Sequence, residues 1–431
     1  MKITQIIFSI VLTLPAMLNA QTTLTIKGSG RLFPIAVPQL CVESGESAAN
    51  RDIPKILSKD LDISGFFEVL NSNSYIESPG KCAPPDGFAY SDWSVIGAEG
   101  LVRGVVTSTH GGIKVQLFLH DVQKQRMVLG KEYEGDESQL PKMAHKFANE
   151  VMKFFTGESG VFGTEISFSS KVGRFKELYV MDMDGSNVRP LTNDKSLAVS
   201  ASWDPFGKQL IYTSYRLRTP DLFSIDVSSR RVVQLTRNPD MELGARYSRD
   251  GSKLLASVTE AQDSDVVVMN TSGKIIQRLT SPNGAIDVSP AWSPDNSKIV
   301  FCSNRSGGPQ IYVMGADGSA PHRISFVNSS YCTSPRWSPK GDRIAFVCRA
   351  DAGFQMFVVD PDGGNALQLT SIGSNEDPDW SPDGRYLVYS TTAGRTGAYN
   401  LALMKSDGSS IKQLTSSRGG DFQPSWGPLL P

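Results

Sequence analysis

The sequence predicts an α/β N-terminal domain followed by an all-β six-bladed β-propeller, and a repeated aromatic turn is the main reason. Six near-copies of this turn follow one another at intervals of 44, 45, 45, 43 and 46 residues. They begin at Trp203, Tyr247, Trp292, Trp337, Trp380 and Trp426. A period of about 45 residues is the length of one four-stranded propeller blade. The second observation is that the residues before the repeats mix helical and strand periods.

Residues 1–20 have the pattern of a secretory signal. Lys2 supplies a positive start, residues 6–14 are mostly apolar, and Ala20 is a small residue at the expected cleavage point. The alternative, an N-terminal membrane anchor, needs a run of about 18 apolar residues, and polar residues interrupt this one. We therefore expect export, cleavage before Gln21 and no insertion of the mature chain into a membrane.

Charge and cysteine content exclude several classes of function. The 431 residues carry 43 basic and 44 acidic side chains, so no basic excess favours nucleic acid or anionic lipid. Five cysteines are compatible with disulfides in an exported protein, and the odd number leaves at least one thiol unpaired. Cys41 and Cys82 are one candidate pair, while the remaining three cysteines lie among the repeats: Cys302, Cys332 and Cys348.

The segment ahead of the repeats divides into two parts. In residues 21–35, Leu24 and Ile26 alternate with polar residues, which indicates a short strand or a loose arm. Residues 36–158 contain helical spacing around Leu57 and strand alternation around Leu117, which is typical of a small α/β domain.

Residues 163–431 are predicted to form the propeller. Each repeat has a strand, the Trp turn and three further strands, and the third strand often ends in an Asp-Gly hairpin. The fourth strand ends at Leu-Thr in five repeats and at Ile324-Ser325 in the other. Residues 164–192 supply only three strands, whereas residues 421–428 supply only one. Together they complete a sixth blade, so the C-terminal strand is expected to close the ring and remove two open sheet edges.

The motifs give no support for catalysis. In Trp-Ser-Pro-Asp-Gly, proline, aspartate and glycine suit consecutive turn positions, and tryptophan suits packing between blades. No Gly-x-Ser-x-Gly nucleophile elbow occurs, and the four histidines show no metal-ligand spacing. We therefore expect no catalytic residue, no metal and no cofactor.

The loops of a propeller sort onto two faces, because its strands alternate in direction. The Trp turns and Asp-Gly hairpins share one face and hardly vary, whereas the opposite face carries connections that differ between blades. Variable loops on a rigid scaffold are where binding is usually located. We therefore expect a partner at this variable mouth, with these candidate contact residues: Asp240, Glu242, Arg246, Asp287, Arg336, Glu376, Asp377 and Asp421.

Motifs outside the Trp turns resemble the TolB family. Residues 30–38, Gly-Arg-x-x-Pro-Ile-Ala-Val-Pro, are similar to the opening segment of that family, and residues 60–70 to its first helix and following strand. The resemblance implies a monomeric, non-enzymatic periplasmic adaptor of the Tol-Pal system. Its mouth would bind a Pal-like lipoprotein, and its arm a TolA-like inner-membrane protein by strand addition. The arm contacts would be Thr22, Leu24, Ile26 and Lys27.

The implied role is to maintain outer membrane integrity and to drive invagination of that membrane at cell division. Two alternatives remain open at this point. A secreted carbohydrate-binding propeller would need exposed aromatic side chains in the channel. A propeller accessory to a serine peptidase would need a hydrolase domain with the nucleophile elbow.

Overall fold

A computed structural model describes residues 31–44, 47–76, 88–237, 241–260, 263–281, 284–394 and 397–430. Within them the chain forms the α/β N-terminal domain and the six-bladed propeller that the sequence predicts. The predicted signal at residues 1–20 lies outside the described residues, and so does the predicted arm up to residue 30. In the described part of the chain, no helix has the length and apolar character needed to cross a membrane.

The N-terminal domain is built on one mixed sheet. Its strands are β1 (Phe33–Ala36), β2 (Cys41–Ser44), β3 (Phe67–Val69), β4 (Gly100–Thr109), β5 (Gly112–Asp121) and β6 (Arg126–Gly135). Its helices are α1 (Ala49–Ile63), α2 (Tyr90–Val95) and α3 (Leu140–Thr156), with short 3₁₀ turns at Ser72–Ser74 and Glu137–Gln139. The strand order is β3-β1-β4-β5-β6, and β2 also pairs with β4. Residues 33–35, assigned to the arm from the sequence, instead belong to a strand inside this sheet.

Different helices cover the two faces of the sheet. Leu57 of α1 and Phe147 of α3 are fully buried in one core with Val102 of β4. The preceding residue of β4, Leu101, packs on the other face with Trp93 of α2. This alternation is expected because successive side chains of a strand point to opposite faces.

The propeller consists of six four-stranded antiparallel sheets. Blades 1 to 3 contain β10 (Ala198–Trp203), β11 (Gln209–Ser214), β12 (Asp221–Asp226), β13 (Val232–Gln234), β14 (Met241–Tyr247), β15 (Lys253–Glu260), β16 (Asp263–Asn270), β17 (Ile275–Arg278), β18 (Asp287–Trp292), β19 (Lys298–Ser303), β20 (Gln310–Gly315) and β21 (His322–Arg323). Blades 4 and 5 contain β22 (Cys332–Trp337), β23 (Ile344–Ala350), β24 (Gly353–Val359), β25 (Leu367–Gln368), β26 (Asn375–Trp380), β27 (Tyr386–Thr391), β28 (Asn400–Lys405) and β29 (Lys412–Gln413). Blade 6 combines β7 (Glu165–Val172), β8 (Phe175–Asp182) and β9 (Arg189–Pro190) with the C-terminal β30 (Asp421–Trp426).

Blade 6 closes the ring in the way the strand count predicts. β30 pairs antiparallel with β7, and Trp426 lies opposite Ile166. The Trp426 indole N–H donates to Thr164 Oγ1 at 2.8 Å, and its backbone N–H donates to Asp379 of blade 5 at 2.8 Å. The two ends of the propeller are therefore joined both within one sheet and to the neighbouring blade.

The Trp turns have the structural role expected from their composition. In blade 3, Ser293 Oγ donates to Asp295 and accepts the N–H of Lys298, which fixes the turn. The Trp380 indole packs in the apolar core shared with blade 4 and donates to Arg336 O at 3.1 Å. Each turn thus shapes its own hairpin, while its aromatic ring fills space between neighbouring blades.

The N-terminal domain packs directly against the propeller. The Tyr386 hydroxyl donates to Ser64 O at 3.0 Å, and Lys405 Nζ donates to Gly65 O at 2.6 Å. Both acceptors lie just beyond the end of α1, where backbone carbonyls have no partner inside the helix. Propeller side chains therefore supply the missing donors at this helix end.

The segment between the two domains is held by ion pairs. The Glu158 carboxylate lies 3.1 Å from Lys340 Nζ and 3.1 Å from an Arg385 guanidinium nitrogen. Lys340 lies in the Trp turn of blade 4, and Arg385 directly follows the Trp turn of blade 5. The link between the domains is thus attached to the propeller rather than free of it.

A buried titratable pair lies beside the domain interface. His145 Nδ1 of α3 is 2.8 Å from Asp60 Oδ2 of α1, and the other Asp60 oxygen is buried with no hydrogen-bond donor in the part of the chain that the structure describes. Burial raises the pKa of Asp60 to about 6 in spite of this hydrogen bond. Burial lowers the pKa of His145, but the hydrogen bond and charge of Asp60 outweigh burial and leave that pKa raised. Next to this pair, Lys59 lies 2.6 Å from Asp184 of blade 6.

We expect the pair to stabilise the fold most at low pH. Both pKa values lie above their unfolded values of 3.8 and 6.5, so the folded state binds more protons between about pH 4 and the raised pKa of His145. Raising the pH through this window should therefore lower the free energy of unfolding. Urea unfolding at several pH values should show a weaker decline for Asp60→Asn than for the unaltered protein. Equal declines in the two proteins would contradict this assignment.

The cysteines of the propeller pair across neighbouring strands of blade 4. Cys332 and Cys348 form a disulfide between β22 and β23, while Cys302 of blade 3 is a buried free thiol. Cys41 is disulfide-bonded, and Cys82, its candidate partner from the sequence, lies outside the described residues. The unpaired thiol expected from the odd count is therefore Cys302 among the described cysteines.

Candidate interaction sites in the propeller channel

The first strands of the six blades line a central channel, and each strand is shaped in the same way. In five of the six strands a β-bulge follows the second residue and the third residue has positive φ, such as Ser289 at 55° and Asp377 at 53°. In β14, which is one residue longer, the bulge follows the third residue and Gly244, the fourth, has φ 63°. A bulge bends the strand and redirects the side chains that follow. The residue immediately before the aromatic residue of the turn is the fifth in five strands and the sixth in β14, and it lies at the end of the channel where the Trp turns are.

A cavity of about 530 Å³ occupies this Trp-turn end of the channel. All six turns contribute to its wall, and all of its lining residues belong to the propeller. Its aromatic wall is formed by Trp203, Tyr247, Trp292, Trp337, Trp380 and Trp426. The volume falls in the range of about 300–1,000 Å³ that is usual for ligand pockets.

Two arginines and one aspartate meet at the floor of this cavity. Arg246 Nη1 and Arg336 Nε each lie 3.8 Å from Asp379 Oδ1, and all three side chains are less than one-fifth exposed. The other Asp379 oxygen accepts the backbone N–H of Trp426. Burial and the neighbouring Arg246 charge lower the pKa of Arg336 to about 9, and burial also lowers the pKa of Arg246. Both guanidinium groups carry a positive charge at neutral pH, because arginine is not deprotonated in proteins under these conditions.

The structure corrects the predicted positions of Arg246 and Arg336. The repeat pattern predicts both at the variable mouth, but they lie at the opposite end of the channel, among the Trp turns. The reason is that each arginine is the second-last residue of its first strand, so it lies at the opposite end of that strand from the loop that precedes it. The face expected to be purely structural therefore holds a charged cavity.

The variable mouth contains acidic and aromatic groups from blades 5 and 6. The Tyr399 hydroxyl donates to Glu376, and Lys176 Nζ lies 4.0 Å from the centre of the Phe422 ring. Burial and the adjacent Glu376 charge raise the pKa of Asp377 to about 6. We call these five residues the acidic mouth. Two of them contribute aromatic side chains, and the other three contribute charged side chains that are partly exposed.

Asp287 and Asp421 are not available to a partner in the predicted way. Asp287 is 1% exposed and accepts two hydrogen bonds from Arg305, whereas Asp421 is 3% exposed and accepts one from Ser170. Each is the first residue of a first strand, where the carboxylate faces its own blade. Their role is to hold the starts of β18 and β30.

The remaining predicted contacts lie outside the described part of the chain, either whole or in their side chains. Asp240 and the arm residues Thr22, Leu24, Ile26 and Lys27 lie outside the described residues. The backbone of Glu242 lies in β14, and its side chain is outside the described part. These residues stay predictions.

Sequence reasoning missed Asp379, Lys176, Tyr399 and Phe422. Asp379 had a signal, because it precedes Trp380 as Arg246 precedes Tyr247 and Arg336 precedes Trp337. An alignment of the six repeats on the Trp turn shows these three charged residues at the same repeat position, which predicts that they lie at the same level of the channel. Lys176 and Tyr399 lie at the ends of connections that share no pattern between blades, so nothing in the repeat singles them out.

The described residues contain no group of three or more histidine, cysteine, aspartate or glutamate side chains that could hold a metal ion.

Comparison with known proteins matches both domains to the same family. The profile described as "TolB beta propeller domain" matches residues 152–430, and "TolB amino-terminal domain" matches residues 23–128. "Tol-Pal system protein TolB" of Anaeromyxobacter dehalogenans is 36% identical over 175 residues, 41% of this chain and 40% of that protein. The protein of the same name from Desulfosudis oleivorans is 33% identical over 208 residues, 46% of this chain and 47% of that protein. The chain thus aligns with less than half the length of these curated relatives.

Solved structures agree on the fold. The crystal structure of TolB from Acinetobacter baumannii superposes with a TM-score of 0.79 at 24% identity, covering 92% of this chain and 97% of that one. The structure of putative TolB from Agrobacterium tumefaciens gives a TM-score of 0.50 at 19% identity, covering 62% and 99%.

Proposed function

The chain belongs to the TolB family, and we propose that it is a non-enzymatic adaptor of the Tol-Pal system in the periplasm. Its N-terminal arm binds a TolA-like inner-membrane protein, and its propeller mouth binds a Pal-like lipoprotein. Other Tol-Pal components associate with it indirectly. The assembly maintains outer membrane integrity and promotes invagination of that membrane at cell division. The protein on its own is a monomer.

The acidic mouth is the observation that carries this proposal. Glu376, Asp377 and Lys176 present charge beside two aromatic rings on strands that are fixed by the closed ring. Aromatic anchors surrounded by polar groups are typical of protein interfaces. A partner docked here would meet a rigid surface, so little ordering entropy would oppose binding.

The contacts between the domains support coupling of two partners. Tyr386 and Lys405 bond the end of α1, and Glu158 bonds basic residues of two blades. Both kinds of contact involve blade 5, which also supplies Glu376 and Asp377 to the mouth. A shift of blade 5 on partner binding would therefore displace its contacts with the N-terminal domain.

Affinity capture from a periplasmic extract tests the proposal. The tagged mature protein, starting at Gln21, should retain a lipoprotein with a peptidoglycan-binding domain, identified by mass spectrometry. The control is a Glu376→Lys variant with an unchanged melting temperature, which should retain less of it. Retention of soluble glycan without any lipoprotein would overturn the adaptor assignment in favour of the carbohydrate-binding alternative.

A further inference from the structure

At the floor of the cavity, the two arginine side chains offer more hydrogen-bond donors than the surrounding residues have acceptors for them. A guanidinium carries five N–H donors and no acceptor. Arg336 donates to Pro335 O at 2.7 Å, and its buried Nε has no hydrogen-bond acceptor among the described residues. Among the described residues, none accepts a hydrogen bond from the Arg246 side chain, and Asp379 at 3.8 Å is its nearest anionic partner. Two guanidinium groups thus share one carboxylate that lies beyond hydrogen-bonding distance.

The other carboxylates that line the cavity do not pair with the two guanidinium groups at its floor. Asp204 accepts the backbone N–H groups of Lys208 and Gln209, and Asp383 accepts the Ser381 hydroxyl and the Arg385 N–H. Both are therefore engaged in shaping their own turns at the rim. Buried guanidinium charge is costly unless it is paired, so the floor is suited to one added negative charge.

The rim above this floor is apolar. Phe206 is 57% exposed and Leu429 is 39% exposed, and both line the cavity. Prolines of the turns continue the same surface: Pro205, Pro294, Pro339, Pro382 and Pro428. An apolar group carried next to the anion would therefore be removed from water on binding.

We propose that this cavity binds a peptide carboxylate flanked by an apolar side chain, with the carboxylate between Arg246 and Arg336 and the apolar group against the rim. Of the groups at the floor that line the cavity, two guanidinium groups and one aspartate leave a single excess positive charge, which one carboxylate neutralises. Asp377 also acts electrostatically on both arginines, but it is not part of the cavity wall. A dianionic phosphate would exceed that excess charge and would also be repelled by Asp379. The site is at the opposite end of the channel from the acidic mouth, so it adds a second ligand to the proposed adaptor without resting on it.

Three model peptides test the chemistry on the unaltered mature protein. N-acetyl-Leu-Leu with a free carboxylate should bind, and its C-terminal amide should bind at least about tenfold more weakly, since charge-assisted hydrogen bonds are lost. N-acetyl-Leu-Asp-Leu-amide shows whether a side-chain carboxylate serves as well as a terminal one. Titration calorimetry gives the affinities, and quenching of tryptophan fluorescence locates the ligand because five of the six tryptophans line this cavity. Equal binding of acid and amide would overturn the proposal.

Substitutions of the two arginines test whether the peptide binds at the floor of the cavity. Arg246→Met and Arg336→Met should each weaken N-acetyl-Leu-Leu about tenfold or more, whereas Arg336→Lys should retain part of the affinity. The matched control is Arg343→Met, because Arg343 pairs with Asp360 at 3.1 Å outside the cavity. Inorganic phosphate is the competing probe and should displace the peptide weakly. Unchanged peptide affinity in a folded Arg246→Met or Arg336→Met variant, or tight phosphate binding that ignores both substitutions, would refute the assignment.

Discussion

Replacing Trp426 by alanine is expected to lower the free energy of unfolding by about 3–5 kcal/mol, the usual range for removing a buried tryptophan. Trp426 is 6% exposed and lies in the strand that closes the ring. The substitution removes its hydrogen bond to Thr164 and its ring contact with Tyr386, which itself bonds the N-terminal domain. Urea unfolding followed by circular dichroism measures the loss.

Trp292→Ala is the matched control for this prediction. Trp292 occupies the same position in blade 3, but it is only partly buried and its indole N–H has no hydrogen bond among the described residues. We expect a clearly smaller loss of stability in this variant. Equal losses in the two variants would mean that Trp426 contributes only as a blade spacer and not through closure of the ring.

Deleting residues 21–29 is expected to abolish binding of a TolA-like protein. The alternating segment around Leu24 and Ile26 suits addition of one strand to a partner sheet, where backbone hydrogen bonds supply much of the affinity. The ordered sheet of the N-terminal domain begins with β1 at Phe33, so the melting temperature should hardly change. Surface plasmon resonance with the immobilised soluble domain of the partner measures binding.

A Lys27→Ala variant serves as the control for the arm, since it keeps the backbone available for pairing. It should weaken binding modestly rather than abolish it. A large fall in melting temperature on deletion, or unaltered binding without the arm, would show that the arm is a structural element instead.

The sequence predicts most of the fold because the propeller is built from six copies of the same four-stranded blade. The interval between the Trp turns gives the blade number, and the strand count around residues 164–192 and 421–428 gives the closure. Both follow from local pattern and from the need to cover sheet edges. The position of Phe33–Ala36 inside the N-terminal sheet was missed, because a four-residue strand followed by Pro38 has no length to distinguish it from an arm.

The sites were harder to predict because they depend on which end of a strand a residue occupies. Arg246 and Arg336 come one residue before the turn, and assigning them to the preceding loop placed them at the wrong end of the channel. Asp287 looked like a surface acid, yet it is buried against Arg305 from the adjacent strand connection. Such pairings arise between strands of one blade, so alternation along a single strand does not reveal them.

The two ends of the channel carry charge of opposite character. Glu376 and Asp377 lie at the variable mouth, whereas Arg246 and Arg336 lie at the floor of the Trp-turn cavity. Asp377 and Asp379 belong to the same strand, β26, and their charges favour the protonated form of both arginines. A ligand that changes the charge at one end would therefore alter the electrostatic environment of the other.

The central claim is that the lipoprotein docks on the acidic mouth rather than on the Trp-turn face, and one calorimetric comparison tests it most directly. The unaltered mature protein, Glu376→Lys and Arg249→Glu are each titrated with the purified soluble domain of the lipoprotein. Arg249 is exposed on the rim of the Trp-turn cavity, so its reversal changes charge on the opposite face. We predict that Glu376→Lys weakens binding at least about tenfold and that Arg249→Glu leaves it unchanged. Loss of binding in Arg249→Glu, with full affinity in Glu376→Lys, would contradict the claim.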